Sequence, residues 1–165
     1  MCIRDSFSSA PGKPNAYGLI GGEANSIAGG KTPLSSMTPT LVLDSNNSLK
    51  LAIGSPGGST IITTVLQVIL HVLDRDMSLA QAIAQPRVHH QWMPDCILVD
   101  RKDQLGGLIG ALKRKGHCVK ARPSMGNAHG VLVGSDGMLE AAADPRGEGH
   151  AGALMSPKSK ADAKR

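Results

Sequence analysis

Apolar residues alternate with polar ones in short runs along most of this chain. They bunch into one long run near its middle, and the change of period sorts the elements. Residues 40–44 (Thr-Leu-Val-Leu-Asp) and 49–53 read as strands. The Ser45-Asn46-Asn47-Ser48 cluster between them is a turn, so the two form a hairpin. Residues 60–74 are apolar on most sides, with Val65, Val68, Ile69 and Val72 at helical spacing, and predict a buried helix. Thr63 and Thr64 have little helix propensity, so burial must hold them in it. Ser78 is the expected N-cap of a second helix, which Pro86 ends at Gln85. Residues 87–91 are expected to be extended, and 96–100 to form a short strand. An amphipathic helix follows at 103–115, with Leu105, Leu108, Ile109 and Leu112 on its apolar face and Gly116 as C-cap. A strand at 118–121 and a second hairpin, 130–133 and 138–142 around Ser135-Asp136-Gly137, complete the pattern. Strands in adjacent pairs, without strict β-α-β alternation, predict an α/β chain of the α+β kind: an antiparallel sheet with helices stacked on it.

The rest of the chain has no such period. Residues 7–39 are rich in Gly and Pro and read as a long loop, which in a compact domain points to function. Residues 1–6 look like translated adapter sequence and are set aside as a non-native scar. That leaves one domain, 7–150, and a flexible basic tail, 151–165; fraying is expected from Pro145 onward.

Composition narrows the classes. The chain has 165 residues, 41% of them hydrophobic and 19% charged, which suits a folded domain. Phe7, Tyr17 and Trp92 are the only aromatic residues, so the core must be aliphatic. The net charge is +5, but Lys158, Lys160, Lys164 and Arg165 sit in the tail. The body has no basic stripe, and nucleic acid is set aside as a partner. Cys2, Cys96 and Cys118 are widely spaced and read as isolated thiols, with no zinc or redox pair. The apolar run 61–73 is too short to span a membrane, and the start has no signal-peptide pattern.

Two stretches carry candidate chemistry. Gly54-Ser55-Pro56-Gly57-Gly58-Ser59-Thr60 joins a strand to a helix. Gly57 and Gly58 permit positive φ and close approach to a ligand, and Ser59 or Thr60 is placed to cap the helix. Free amides at a helix start suit a carboxylate, a phosphate or a developing oxyanion. No Lys follows the glycines, so this is not a nucleotide P-loop. The second stretch is Pro33-Leu34-Ser35-Ser36-Met37-Thr38-Pro39, where two hydroxyls sit between prolines and can grip a carboxylate. His89 and His90 are adjacent on an extended segment and face opposite ways, so a structural role is expected over a shared metal. No Gly-x-Ser-x-Gly elbow is present. Nothing here calls for a cofactor or a metal.

Three strings in order resemble one family. They are residues 30–40 (Gly-Lys-Thr-Pro-Leu-Ser-Ser-Met-Thr-Pro-Thr), 54–67 (beginning Gly-Ser-Pro-Gly-Gly-Ser-Thr) and 84–95 (Ala-Gln-Pro-Arg-Val-His-His-Gln-Trp-Met-Pro-Asp). Pro14-Asn15-Ala16-Tyr17-Gly18-Leu19 and Ala143-Asp144-Pro145-Arg146 fit as well. Together they resemble the small subunit of gamma-glutamyltranspeptidase over residues 7–146. The resemblance implies an N-terminal-nucleophile hydrolase fold, an αββα sandwich, and a precursor that cuts itself into large and small subunits. It implies a Thr nucleophile at the start of the small subunit, with its own α-amine as base. The γ-glutamyl group of glutathione or a related amide passes to water, an amino acid or a dipeptide. Ser35 and Ser36 are implied to bind the α-carboxylate of the donor, and Gly57 and Gly58 to supply the oxyanion-hole amides.

Departures from the family follow. The Thr-Thr-His run with the nucleophile is absent, as are the Thr and Asn contacts just after it. The family's acidic pair aligns with Asp5 and Ser6, inside the supposed scar, and Asp5 is left unassigned. Thr60 stands where a bulkier or basic residue is usual. The chain is therefore expected to be an incomplete catalytic domain, inactive alone, with the large subunit and its carboxylate-binding Arg as the missing partner. It is expected to expose an unpaired sheet edge and an apolar face. The resemblance implies a periplasmic or secreted location. Two alternatives stand beside this: a non-catalytic module that binds a carboxylate or phosphate, and a relative acting on another acyl amide.

Overall fold

The computed structural model describes residues 7–152; the supposed scar, 1–6, and the basic end of the tail lie outside them. The first hairpin joins β1 (Thr40–Leu43) to β2 (Leu49–Gly54). Its turn is set by Asp44, whose Oδ1 accepts from the amides of Asn46 at 2.8 Å and Ser48 at 2.9 Å. The second hairpin joins β6 (His129–Val133) to β7 (Leu139–Ala143). The hairpins dock through β2 and β6, giving an antiparallel sheet in the order β1-β2-β6-β7. Leu51 pairs with Leu132 on the inner face. That face lies against α1 (Thr60–Leu73) and α2 (Leu79–Ala84), and Leu51, Val65, Val68, Leu79 and Ile83 form the core between them.

The predicted caps and stops hold for α2. Ser78 Oγ accepts from the Gln81 amide at 3.3 Å, and Gln81 Oε1 accepts from the Ser78 amide at 3.2 Å, a capping box. The buried-helix expectation for α1 holds on one side only. Ile61, Val65, Val68 and Val72 are buried, whereas Ile62 and Leu66 are each 51% exposed and Leu70 is 42% exposed. The main sheet covers one side of the helix, and the apolar residues that face away from it are covered only in part. The outer face of the sheet is similarly bare: Leu41, Ala52, Val131 and Ala141 line up across the strands there, and Leu41 is 69% exposed.

The apolar pattern predicts a single sheet, and a second one is present. Strands β3 (Val88–His89), β4 (Ile97–Val99) and β5 (Val119–Ala121) pair in that order, and β4 and β5 run parallel. The crossover between them is the predicted amphipathic helix, which returns the chain to the same end of the sheet. It is shorter than expected: a 3-10 turn (Lys102–Gln104) precedes α3 (Gly106–Arg114). Two glycines at its start weaken the first turn. No residue of α3 is buried. Gly116 takes the expected left-handed conformation, φ 86°, just past its end.

This parallel pairing corrects the cysteine expectation. Ile97 aligns with Val119, so the preceding residues, Cys96 and Cys118, come side by side. Their Cα atoms are 4.7 Å apart and the sulfurs form a disulfide. Spacing along the chain carries no trace of this, because α3 and its flanking turns lie between them. Fraying from Pro145 is corrected too, since Arg146 is anchored in the interior with its side chain 4% exposed.

Truncating Leu51, which is fully buried, is expected to lower stability by about 2–5 kcal/mol in Leu51→Ala. A denaturant titration gives the value, and an unchanged midpoint would remove Leu51 from the core.

Candidate active site

The candidate site is built where β2 runs into α1. Gly57 has φ 146° and Gly58 has φ 59°, both in the positive range that favours glycine. The Gly57 carbonyl accepts from the Thr60 amide at 3.3 Å and from Thr60 Oγ1 at 2.9 Å. The Gly58 carbonyl accepts from the Ile61 amide at 3.1 Å. The glycine carbonyls therefore start the helix, and the expected side-chain cap does not form: Ser59 has helical dihedrals, and its hydroxyl donates to Gln91 Oε1 at 2.7 Å. Among the described residues, neither the Gly57 nor the Gly58 amide has an acceptor. Both lie at the positive end of a 14-residue helix.

Neighbours fill the space around this turn. A Cβ on Gly58 would stand 2.5 Å from the Tyr17 ring, and one on Gly57 would stand 2.7 Å from Thr60 Oγ1. Behind the turn lies Gly126, where a Cβ would meet Ser55 Oγ and Thr64 Oγ1, each at 2.8 Å. The Asn127 amide donates to Ser55 Oγ at 3.0 Å. In front, Gln91 Nε2 donates to the Tyr17 carbonyl at 2.8 Å. The turn is thus clasped between residues 125–128 and the Tyr17 segment.

Ser35 and Ser36 lie in the extended loop that leads into β1. Ser35 is exposed, and its Oγ accepts from the Met37 amide at 3.1 Å. Ser36 is half-buried, and its carbonyl accepts from Thr38 Oγ1 at 3.1 Å. No hydrogen bond among the described residues joins this pair to Gly57 or Gly58. A cavity of about 230 Å³ opens beside the neighbouring Leu34, with Asn15, Gln91, Trp92 and Met93 in its lining. It holds neither the two serines nor the two glycines.

The paired histidines separate as expected. His89 is buried, with Nδ1 2.8 Å from Thr63 Oγ1 and Nε2 2.9 Å from Gln91 Oε1. His90 reaches Asp95 at 3.0 Å on the surface. No cluster of three metal-type ligands exists among the described residues.

A buried charge network escaped the sequence analysis. Arg87 Nη2 donates to Asp144 Oδ2 at 2.7 Å, and Arg146 Nε donates to Asp100 Oδ2 at 2.7 Å. Arg146 also reaches Asp144 at 3.2 Å. Two cations thus balance two anions, and the side chains of all four are at most 4% exposed. Backbone groups complete the shell: Arg87 Nη1 donates to the Met125 carbonyl at 2.6 Å, and the Ala128 amide donates to Asp144 Oδ2 at 2.7 Å. Burial pushes the Asp144 carboxyl up, but the amides of Ala128 and Arg146 and the Arg87 guanidinium outweigh it and hold it below the ordinary aspartate value. Burial and the Arg146 cation draw Arg87 down from its ordinary value, against the pull of Asp144 and Asp100. The family strings contained Tyr17, Arg87, Gln91, Asp144 and Arg146, but only as matching letters. Asp100 gave no signal at all.

Solved structures settle the class. The chain superposes on an acivicin-inhibited gamma-glutamyltranspeptidase with a TM-score of 0.80 at 44% identity, covering 87% of this chain and 78% of that one. On the enzyme of Pseudomonas nitroreducens complexed with L-DON, the TM-score is 0.83 at 39% identity, covering 92% and 79%. The transpeptidase CapD of Bacillus anthracis shares the fold alone, at 23% identity and a TM-score of 0.63. The fold is that of the N-terminal-nucleophile hydrolases, as the resemblance implied. The family follows from sequence. The gamma-glutamyltranspeptidase family model matches residues 4–154, and this chain belongs to that family. The glutathione hydrolase proenzyme of Escherichia coli is 46% identical over 142 residues, 86% of this chain. That of Pseudomonas aeruginosa is 40% identical over 157 residues, 93% of this chain. The chain spans only 24% and 28% of the length of these two relatives.

Asp144 sets an acid limit on stability. Its folded-state pKa is depressed, so its contribution is fully present above the unfolded value of about 4 and is lost as the pH falls through the lower folded value. Asp144→Asn is expected to cost about 3–5 kcal/mol at neutral pH, because it leaves Arg87 charged and unpaired in the interior. It should also flatten the acid limb of a stability profile taken from pH 7 to pH 2. An acid limb identical to that of the unsubstituted chain would show that Asp144 does not set it.

Proposed function

We propose that this chain supplies part of the donor pocket of an enzyme that moves γ-glutamyl groups. The donors are glutathione and related γ-glutamyl amides; the acceptors are water, amino acids and dipeptides. One observation carries the reading. The consecutive Gly57 and Gly58 amides have no acceptors among the described residues and lie at the start of a 14-residue helix. Attack on an amide carbonyl turns its oxygen into an anion, and preorganised amides bind that anion better than they bind the starting carbonyl. Ser35 and Ser36 take the α-carboxylate of the donor. Ser35 Oγ already accepts from the Met37 amide, which leaves its proton to donate.

The attacking Thr, whose α-amine is its base, lies outside these 165 residues, as does the Arg that pairs with the α-carboxylate. Both belong to the rest of the precursor, with the large subunit as partner. The Thr hydroxyl adds to the γ-carbonyl, and collapse of the tetrahedral intermediate expels the amine. Water or an acceptor amine then cleaves the resulting ester. The relatives that are named proenzymes support a precursor of this kind. The bare outer face of the main sheet supports a further layer over it. The Cys96–Cys118 disulfide supports an oxidising, exported location, since such bonds persist outside the reducing cytosol. No helix among the described residues is long and apolar enough to cross a membrane.

The test compares the full-length precursor with the 165-residue chain on a chromogenic γ-glutamyl amide. The chain alone is expected to give no turnover, and turnover by it would sink the proposal. In the precursor, Gly57→Ala should lower kcat by about 10²–10³. Replacing Ser35 and Ser36 together by Ala should raise KM for the donor, and an unchanged KM would take the serines out of the pocket.

A further inference from the structure

Gln91 is the residue on which the front of the glycine turn converges. Its Nε2 donates to the carbonyl of Tyr17 at 2.8 Å and to that of Met93 at 3.1 Å. Two carbonyl partners fix the amide's orientation, since only the NH₂ end can serve both. Oε1 is therefore the acceptor, and it takes the Ser59 hydroxyl at 2.7 Å. His89 Nε2, at 2.9 Å, then donates to that oxygen, and its Nδ1 lies 2.8 Å from Thr63 Oγ1. One hydrogen-bonded chain thus runs from α1 through His89 to Gln91 and on to the Tyr17 segment. The Tyr17 ring fills the space where a Cβ of Gly58 would stand, and Ser59 directly follows Gly58.

We propose that Gln91 is a positioning residue for the oxyanion-binding turn: it holds the Tyr17 segment against Gly58 and pins Ser59, and so fixes where the two glycine amides point. The inference rests on the reading that the Gly57 and Gly58 amides bind the oxyanion. Gln91 itself touches no reacting atom. Its effect on rate arises through geometry, since a displaced donor loses much of its stabilisation of the transition state.

The test uses the full-length, processed enzyme. Gln91→Glu keeps the shape but replaces the donor with a carboxylate, which repels the Tyr17 and Met93 carbonyls. Expected is a fall in kcat of about tenfold to a hundredfold, with KM for the donor changed far less and a drop in melting temperature too small to account for it. Ser59→Ala removes only the hydroxyl that meets Gln91 and should lower kcat in the same direction, by less. It decides the matter if Gln91→Glu fails to mature. Gly57→Ala is measured alongside. If Gly57→Ala leaves kcat intact, the oxyanion reading and this proposal both fall. If Gly57→Ala abolishes turnover while the Gln91 and Ser59 variants keep the full kcat, only the positioning role is overturned. A fall in kcat that merely tracks a fall in melting temperature would also overturn it, because Gln91 would then be structural glue.

Discussion

Two arginines and two aspartates buried together are the constraint on which the rest of this structure depends. Arg87 precedes β3, Asp100 follows β4, and Asp144 and Arg146 follow β7. The network therefore ties the ends of both sheets to one another. It also collects the carbonyls that α2 leaves unpaired at its C-terminus: Arg87 and Arg146 both donate to Ile83, and Arg146 donates to Gln85. A buried ion pair has little net value against an apolar replacement, but removing one member strands a charge. The arrangement thus specifies one way to assemble these elements and penalises others steeply.

The same network reaches the candidate site. Its backbone partners, Met125 and Ala128, bracket the segment whose Gly126 lies directly behind Gly57. Asp100 Oδ2 takes the Met125 amide as well, at 3.3 Å. The glycine turn is thus supported from behind by charge and from in front by the Tyr17 segment. A turn built on two glycines has to borrow its rigidity from neighbours. An oxyanion site needs that rigidity, because donors that must reorganise during the reaction lose their advantage.

Two apolar surfaces lack cover in this chain. One is the outer face of the main sheet, and the other is the ridge of Ile62, Leu66 and Leu70 on α1. Both alternate residue by residue or turn by turn with the buried core. They therefore belong to elements designed to be packed on two sides. This agrees with a chain that spans about a quarter of its relatives' length.

The local elements were legible in the sequence because local rules make them. Asp44 and the residues after it form the first turn, Ser78 with Gln81 caps α2, Pro86 ends it, and Gly116 stops α3. Each needs only residues within a few positions. The glycine turn and the serine pair were found the same way, and the family strings gave them meaning. What tertiary structure alone decided involves partners far apart in the chain. The disulfide required β4 and β5 to run parallel. The exposed ridge of α1 required knowing which faces of the helix the two sheets cover. The charge network joins residues up to 63 positions apart, and the clasp of Tyr17 by Gln91 spans 74. The reason is physical. Turn and cap energies are set by neighbours in sequence, whereas burial, charge pairing and the rigidity of a site depend on which distant segments the fold brings into contact.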